Sequence, residues 1–290
     1  MRFSIITPSF RNSDWLKLCI ASVADQKDVE HEHIVQDSCS DDGTQDWLPH
    51  DSRVQAFIEK DNGMYDAVNR GFKRATGDVL AYLNCDEQYL PGALAAVARF
   101  FEENPEVDAC VTDTVIMDPN GGYLCHRLAL TPGRHSTWVR FPVVTSSFFL
   151  RRRVLHEMGL YFDTNWRDLG DFFYVMKLLN QGVRFGALPV FTSAFTDTGD
   201  NMNMKPNALR EKAEKIAMMP WWIRSTFILW IAYYGWRNFL RGAYSMKPFD
   251  YAIYTSESTT QRVMRRAEKP TALWPGRPLA WRPRVAKSEN

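Results

Sequence analysis

The sequence has few cysteines and no long apolar run. Its five cysteines are scattered and include no Cys-x-x-Cys pair, which argues against both a disulfide framework and a structural zinc site. The start of the chain is also unlike a secretory signal, because its apolar stretch is short and no small-residue cleavage site follows. A reducing cytoplasm is therefore the expected compartment.

The net charge is small but unevenly distributed. The whole chain carries +1, whereas residues 261–290 contain eight Lys/Arg and two Asp/Glu, which is +6 and leaves −5 for the remainder. A basic tail on an acidic body suggests an anionic partner such as a membrane surface. A solvated, disordered tail is the alternative, and nothing in the pattern predicts a nucleic-acid partner.

Predicted strands and helices alternate over the first 105 residues or so. The strand-like runs are residues 3–7, 33–35, 54–58 and 78–83, and the helical stripes are residues 16–23, 65–75 and 94–101. This alternation predicts a parallel α/β sheet that binds ligands at the carboxyl ends of its strands. Further along, the turn at 118–122 predicts a hairpin, and residues 168–179 have a helical pattern.

Polar residues follow two of the predicted strands. Asp37 comes at the carboxyl end of the second strand, where it can accept hydrogen bonds from a nucleobase or ribose, although ordinary turn chemistry explains it equally well. Asp86 follows the fourth strand beside Asn84 and Glu87. A carboxylate there can bind Mg²⁺ or Mn²⁺ and neutralise a departing diphosphate, with a helix cap before Pro91 as the alternative.

Two helix starts also carry candidate residues. The helix that follows Gly63 presents one polar face, and a helix N-terminus attracts anions. That face consists of Asp66, Asn69, Arg70 and Lys73. The alternative is the solvated side of an amphipathic helix. Asp168 and Asp171 share a face at the start of a later helix. Either one of them acts as a general base, or both simply stabilise the positive end of the helix dipole.

The order of these motifs resembles family 2 inverting glycosyltransferases with the GT-A fold, most of all the bacterial subgroup that builds O-antigen, colanic acid and other exopolysaccharides. The likeness covers roughly residues 1–200, and its most specific part is the Asp-x-Gly-x-Tyr-Asp-Ala-x-Asn core that starts at Asp61. It implies an α/β fold with a Rossmann-like, mostly parallel sheet flanked by helices. A glycosyltransferase domain would occupy residues 1–215, and an aromatic-rich helical extension with a basic, Pro-containing tail would occupy 216–290.

The resemblance implies a role for each matching residue. Thr7, Pro8 and Ser9 would line the nucleotide pocket, Asp37 would bind the base, usually uracil, and Asp66 would line the diphosphate-sugar site. Asn69, Arg70 and Asn84 would also face the donor. Asp86 would be the metal ligand and Asp171 the general base. The chain departs from the pattern at Asn84 and Glu87, which replace acids, and at Thr145-Ser146, where close relatives often have His-Gln.

The implied reaction moves a sugar from a nucleotide-sugar, expected to be a UDP-sugar, to a hydroxyl of a glycan or polyprenyl-linked acceptor, with Mg²⁺ or Mn²⁺ as cofactor. The alternative is a non-catalytic module that binds nucleotide-sugars or glycans. A sugar-phosphate nucleotidyltransferase is disfavoured, because residues 7–12 lack the glycine-rich loop which that class needs after the first strand.

The segment 220–245 is rich in Trp and Tyr. Residues 226–236 are uncharged, but eleven residues are too few for a bilayer span, which needs about 20. We expect this segment to lie peripherally on the inner face of the cytoplasmic membrane. Packing on the main domain or on a second subunit, as in a homodimer, is the alternative.

Overall fold

The first half of the chain alternates strands and helices. The computed structural model describes residues 1–199 and 206–274. The elements of the first half are β1 (Phe3–Ser9), α1 (Ser13–Ala24), β2 (His31–Asp37), α2 (Thr44–Trp47), β3 (Gln55–Ile58), α3 (Met64–Arg74) and β4 (Val79–Tyr82). The four strands pair in parallel, which confirms the predicted parallel α/β sheet for this half.

β1 lies between β2 and β4. All seven of its residues are buried, as expected for a short strand covered on both faces. The predicted apolar stripe of α3 is also buried, at Tyr65, Val68 and Phe72. The helix comes so close to the sheet that a Cβ added to Gly71 would lie 2.4 Å from the Ile6 side chain.

The second half extends the sheet with mostly antiparallel pairs, although β6 and β9 pair in parallel. Its elements are β5 (Glu87–Tyr89), α4 (Ala93–Glu103), β6 (Ala109–Met117), β7 (Tyr123–Arg127), α5 (Ser136–Val139), β8 (Phe148–Arg151), α6 (Arg152–His156), α7 (Gly170–Asn180) and β9 (Phe185–Thr196). Within the described ranges, nine strands form one sheet in the order β3-β2-β1-β4-β8-β6-β9-β5, with β7 paired to β6. The predicted hairpin is confirmed as β6–β7.

The last described part of the chain holds three helices and a hairpin. These elements are α8 (Pro206–Met218), α9 (Trp221–Ser225), α10 (Phe227–Leu240), β10 (Phe249–Thr255) and β11 (Ser258–Ala267). The expected domain boundary after residue 215 falls inside α8. None of the helices in the described ranges has the length and apolarity needed to traverse a bilayer.

The sequence analysis did not predict the β10–β11 hairpin. Arg262 of β11 fastens it to α1, because its guanidinium bonds both carboxylate oxygens of Asp25 at 2.6 and 2.7 Å. Tyr254 of β10 donates its hydroxyl to the same carboxylate at 2.9 Å. Residues 261–267 are therefore strand rather than solvated tail, and the remaining expected tail, residues 275–290, lies outside the described residues.

Candidate active site

The parallel strands bring three of the sequence-predicted segments to one edge of the sheet. Ser9 at the end of β1 pairs in register with Asp37 at the end of β2. On the other side of β1, Ile6 pairs with Tyr82, the last residue of β4. The segment from Asn84 to Asp86 therefore follows its strand at the same carboxyl edge, where open α/β sheets bind ligands.

The polar side chains of β1 and β2 differ in whether they have partners. The fully buried carboxylate of Asp37 accepts hydrogen bonds from the backbone N–H and the hydroxyl of Ser40, at 2.8 and 2.6 Å. The buried Thr7 hydroxyl lies 2.8 Å from His33 Nε2, so it points into the protein. The Ser9 hydroxyl is buried with no partner among the described residues, which leaves it able to bond a ligand.

Two adjacent acids follow β4 in different environments. The buried Glu87 carboxylate accepts hydrogen bonds from the Asn84 N–H at 2.9 Å and the Thr145 hydroxyl at 2.7 Å. Burial, together with the charge of Asp86, raises the pKa of Glu87 to about 8. Burial also raises the pKa of Asp86, whose half-buried carboxylate receives no hydrogen bond from another described residue.

This arrangement fits a hard divalent cation. Asn84 Oδ1 is buried without a partner in the described part of the chain, two residues before the half-buried Asp86 carboxylate. No group of three or more His, Cys, Asp or Glu side chains gathers there or elsewhere in residues 1–199 and 206–274. A site with one protein carboxylate is typical of Mg²⁺ or Mn²⁺ held partly by substrate phosphates.

The predicted polar face of α3 divides into two parts. Asp66 and Arg70 form an ion pair at 2.9 Å, and the Asp66 carboxylate also accepts the Asn62 N–H at 3.0 Å. Asn69 instead turns inward, where its amide exchanges two 3.0 Å hydrogen bonds with the backbone of Phe162. Asp66 thus lies in the first turn of α3 with Arg70 bonded to it, whereas the Asn69 side chain holds the backbone at Phe162.

Asp171 lies in the first turn of α7. Its N–H donates to the Tyr65 hydroxyl at 3.0 Å, which ties it to the start of α3. Its half-buried carboxylate accepts the Phe172 N–H at 2.7 Å. Burial raises the pKa of Asp171 to about 6, so the group is a carboxylate at neutral pH that can still take up a proton.

A small, mostly apolar cavity borders Asp171. It has a volume of about 10 Å³, and its lining includes Asp171, Tyr82 and Thr145. The Thr145 hydroxyl bonds Glu87, and the Tyr82 hydroxyl is buried without a partner among the described residues. The cavity has space for about one water molecule, and Thr145 on its wall is bonded to Glu87, the neighbour of Asp86.

Asp168, unlike Asp171, does not line the cavity. Its carboxylate accepts a hydrogen bond from the Asn207 side chain at 2.7 Å, on the α8 side of the turn. The Asp168–Asp171 pair is therefore divided, with only Asp171 on the cavity.

The hydrogen bond between Tyr65 and Asp171 was not predicted from the sequence. A Cβ added to Gly170 would lie 2.3 Å from a ring carbon of Tyr65, so this glycine lets the ring pass beneath the start of α7. Tyr65 was expected only as a core residue. Its hydroxyl also accepts the hydrogen bond of the Asp171 N–H. No pattern within either segment predicts this contact, which spans 106 positions of the chain.

The strand order and the position of this site define a GT-A fold, and solved structures agree. Staphylococcus aureus TarS residues 1–349 in complex with UDP-GlcNAc matches with a TM-score of 0.56 at 19% identity, covering 76% of this chain and 67% of that one. The mannosyltransferase PcManGT from Pyrobaculum calidifontis, in complex with GDP-Man and Mn²⁺, matches with a TM-score of 0.51 at 16% identity, covering 79% of this chain and 74% of that one.

The chain belongs to glycosyl transferase family 2, whose family model matches residues 4–159. A PGL/p-HBAD biosynthesis glycosyltransferase of Mycobacterium bovis is 34% identical over 212 residues, which are 69% of this chain and 79% of that protein. The putative teichuronic acid biosynthesis glycosyltransferase TuaG of Bacillus subtilis is 33% identical over 105 residues, which are 34% of this chain. The chain spans 42% of the length of TuaG and 40% of that of the longer TarS structure.

Proposed function

We propose that this chain transfers a sugar from a UDP-sugar to a hydroxyl of a glycan or polyprenyl-linked acceptor in surface polysaccharide synthesis, with inversion at the anomeric carbon. The observation that carries the proposal is the small cavity where Asp171 meets Tyr82 and Thr145. Asp171, which can accept a proton, borders this cavity, and the Thr145 hydroxyl on the cavity wall bonds Glu87 beside Asp86.

The donor side of the proposal uses the carboxyl edge of the sheet. Asp37 and Ser9 stand at the ends of neighbouring strands, where a nucleoside would lie. Asp86 and the unpartnered Asn84 oxygen would hold Mg²⁺ or Mn²⁺, which neutralises the negative charge of the leaving diphosphate. Support comes from the complexes of similar folds, TarS with UDP-GlcNAc and PcManGT with GDP-Man and Mn²⁺.

The acceptor side of the proposal uses Asp171. Its carboxylate takes the proton of the acceptor hydroxyl while the hydroxyl oxygen attacks the anomeric carbon and UDP leaves from the opposite side. A single displacement of this kind inverts configuration. Since the pKa of Asp171 is about 6, the base is ionised at pH 7, and we expect the rate to fall as pH drops through 6.

Exchange of Asp171 tests the proposal. We expect Asp171→Asn to lower sugar transfer by about 10²–10⁴-fold, the usual contribution of a general base, with the Kd for UDP unchanged within about twofold. Transfer is measured as UDP release from a panel of UDP-sugars, with a membrane lipid extract from a polysaccharide-producing bacterium as acceptor. Asp168→Asn is the matched control, because that carboxylate faces Asn207 and should lose far less activity.

Two outcomes would contradict the catalytic proposal. Unchanged turnover in Asp171→Asn would remove this residue from the mechanism. Tight UDP binding by the unaltered chain, with no transfer from any donor in the panel, would instead support the non-catalytic binding module.

We also propose that α9 and α10 rest on the inner face of an anionic membrane. The outward stripe of α10 is apolar, with Ile228 80%, Leu229 68% and Phe239 68% exposed. Residues 216–249 contain four Lys/Arg and no Asp/Glu, and the two exposed ones, Arg224 and Lys247, complement anionic lipid. At about 1.5 Å per residue, the 14-residue helix is about 21 Å long and would lie flat.

Two arginines at the end of this region point toward the protein rather than toward solvent. Arg237 bonds the backbone oxygen of Thr131 at 2.9 Å, and Arg241 pairs with the buried Asp113 at 3.0 Å. Both fasten the inner side of α10 to the glycosyltransferase body. The apolar stripe is therefore presented on a helix that is held in place, and the alternative occupant of the stripe is a second copy of the chain.

A further inference from the structure

A carboxylate on α8 holds the turn that leads into Asp171. The buried Glu211 side chain accepts three backbone N–H groups, from Arg167 at 2.8 Å, Asp168 at 3.0 Å and Leu169 at 2.8 Å. Burial opposes ionisation, but these N–H donors prevail and lower the pKa of Glu211. A carboxylate with this many donors is charged and firmly fixed.

Asn207 completes the attachment from the first turn of α8. Its amide nitrogen donates to Glu211 at 2.9 Å and to the Asp168 carboxylate at 2.7 Å. The turn of residues 167–169 is therefore bonded to α8 through both its backbone and a side chain. This turn cannot move relative to α8 without breaking several charge-assisted hydrogen bonds.

The position of Asp171 is consequently set from two directions. Its N–H rests on the Tyr65 hydroxyl of α3, and the turn just before it rests on Glu211 of α8. We propose that Glu211 is a positioning residue that aligns the Asp171 carboxylate with the acceptor hydroxyl, an inference that rests on the proposed function of Asp171. Misplacement of a catalytic group by about 1 Å can cost about 10²-fold in rate.

The test replaces one carboxylate oxygen. In Glu211→Gln, the side-chain size is kept, but the new NH₂ group faces backbone donors and cannot accept from them. We expect kcat to fall at least tenfold while the Kd for UDP, measured by calorimetry, stays within twofold. Glu214→Gln is the matched control on the same helix, since Glu214 is exposed and pairs only loosely with Arg210, at 3.8 Å.

The pH profile separates positioning from a general loss of structure. The charged and titratable groups that face Asp171 are Tyr65 from α3, Tyr82 from β4, and Glu211 and Lys215 from α8. The negative charge of Glu211 raises the pKa of Asp171, whereas Lys215 lowers it. Loss of the Glu211 charge should therefore move the acid limb of kcat/KM to lower pH, while unfolding would lower the plateau and leave the limb in place.

A milder variant covers the case in which Glu211→Gln does not fold. Asn207→Ala removes one donor to Glu211 and leaves the three backbone bonds, so kcat should fall several-fold with unchanged UDP binding. A folded Glu211→Gln variant that keeps kcat within twofold of the unaltered chain would overturn the inference. If Glu211→Gln does not fold, a folded Asn207→Ala variant with kcat within twofold would overturn it instead. Absence of transfer by the unaltered chain would mark the failure of the proposed function itself.

Discussion

At the residue scale, the site is distinguished by which polar atoms lack partners. The amide of Asn69 is satisfied by the Phe162 backbone, whereas Asn84 Oδ1 is buried without a partner in the described residues. Leaving a buried acceptor unpaired costs about 1–3 kcal/mol, a cost that a bound cation would remove. Both side chains were expected in the donor site. The difference between them could not be predicted, because a helical wheel does not show that the Asn69 amide is bonded to a backbone 93 positions away.

Asp86 should link nucleotide binding to the metal. We expect UDP with Mn²⁺ to raise the Tm by several degrees, as ligand at 100 times its Kd adds about 2.7 kcal/mol, and EDTA to remove most of the gain. Asp86→Asn should lose the Mn²⁺-dependent part alone, because its carboxylate would hold the ion. A thermal-shift panel of UDP, GDP, CDP and dTDP, with and without Mn²⁺, measures this.

The control for that panel is Glu257→Gln, which removes an exposed carboxylate at the turn of the β10–β11 hairpin and should respond like the unaltered chain. An Mn²⁺-dependent shift that survives intact in Asp86→Asn would rule out Asp86 as the ligand. A larger shift with GDP than with UDP would correct the donor class and leave the fold of the site untouched.

At the element scale, sequence predicted what is encoded locally. The strands of the first half and α3 follow from apolar runs and a 3.6-residue stripe, and the β6–β7 hairpin follows from its Gly-Gly turn. The β10–β11 hairpin was missed because β11 is largely exposed and polar. One of the contacts that hold it is the bond of Arg262 to Asp25, which is 237 positions away in the chain.

The α10 stripe supplies a prediction at this scale. We expect the double variant Ile228→Glu, Phe239→Glu to reduce sedimentation with vesicles of phosphatidylcholine and phosphatidylglycerol. Losing two apolar side chains from the interface removes roughly 1.5–3 kcal/mol each, which is more than tenfold in partitioning. Both residues are exposed, so the fold should persist, as circular dichroism can verify.

Met264→Glu controls for a charge added to an exposed apolar residue, since Met264 is 68% exposed and belongs to β11 rather than to α10. Equal pelleting of the double variant and this control would argue against the membrane surface. If the unaltered chain does not pellet, and gel filtration shows a dimer that the double variant dissociates, the stripe is a subunit interface.

At the scale of the whole molecule, the C-terminal hairpin returns to the first helix of the chain. The Arg262 side chain is 11% exposed and bonds Asp25 together with the backbone oxygens of Tyr89 and Ala252, both at 2.9 Å. It joins α1, β5 and β10 at one point. The contact brings residues from both ends of the chain into a single folded unit.

Arg262→Ala should lower the free energy of unfolding by about 3 kcal/mol, because it leaves a partly buried carboxylate without its cationic partner and two carbonyls without their donor. Urea denaturation measures the change. Arg266→Ala on the same strand is the control: its pair with Asp250 is about half exposed on both sides and should contribute much less to stability, because water screens it. Equal losses in the two variants would show that the Arg262 contact is no stronger than a surface pair.

The close approach of Gly170 to the Tyr65 ring has a consequence for chimaeras built among relatives. Transplanting the segment around Tyr65 from a relative would also replace the aromatic ring against which the start of α7 packs. In a recipient whose α7 begins with a bulkier residue, that turn would have to move away from the ring, and the Asp171 carboxylate would move with it. The two segments should therefore be exchanged together, as one cassette.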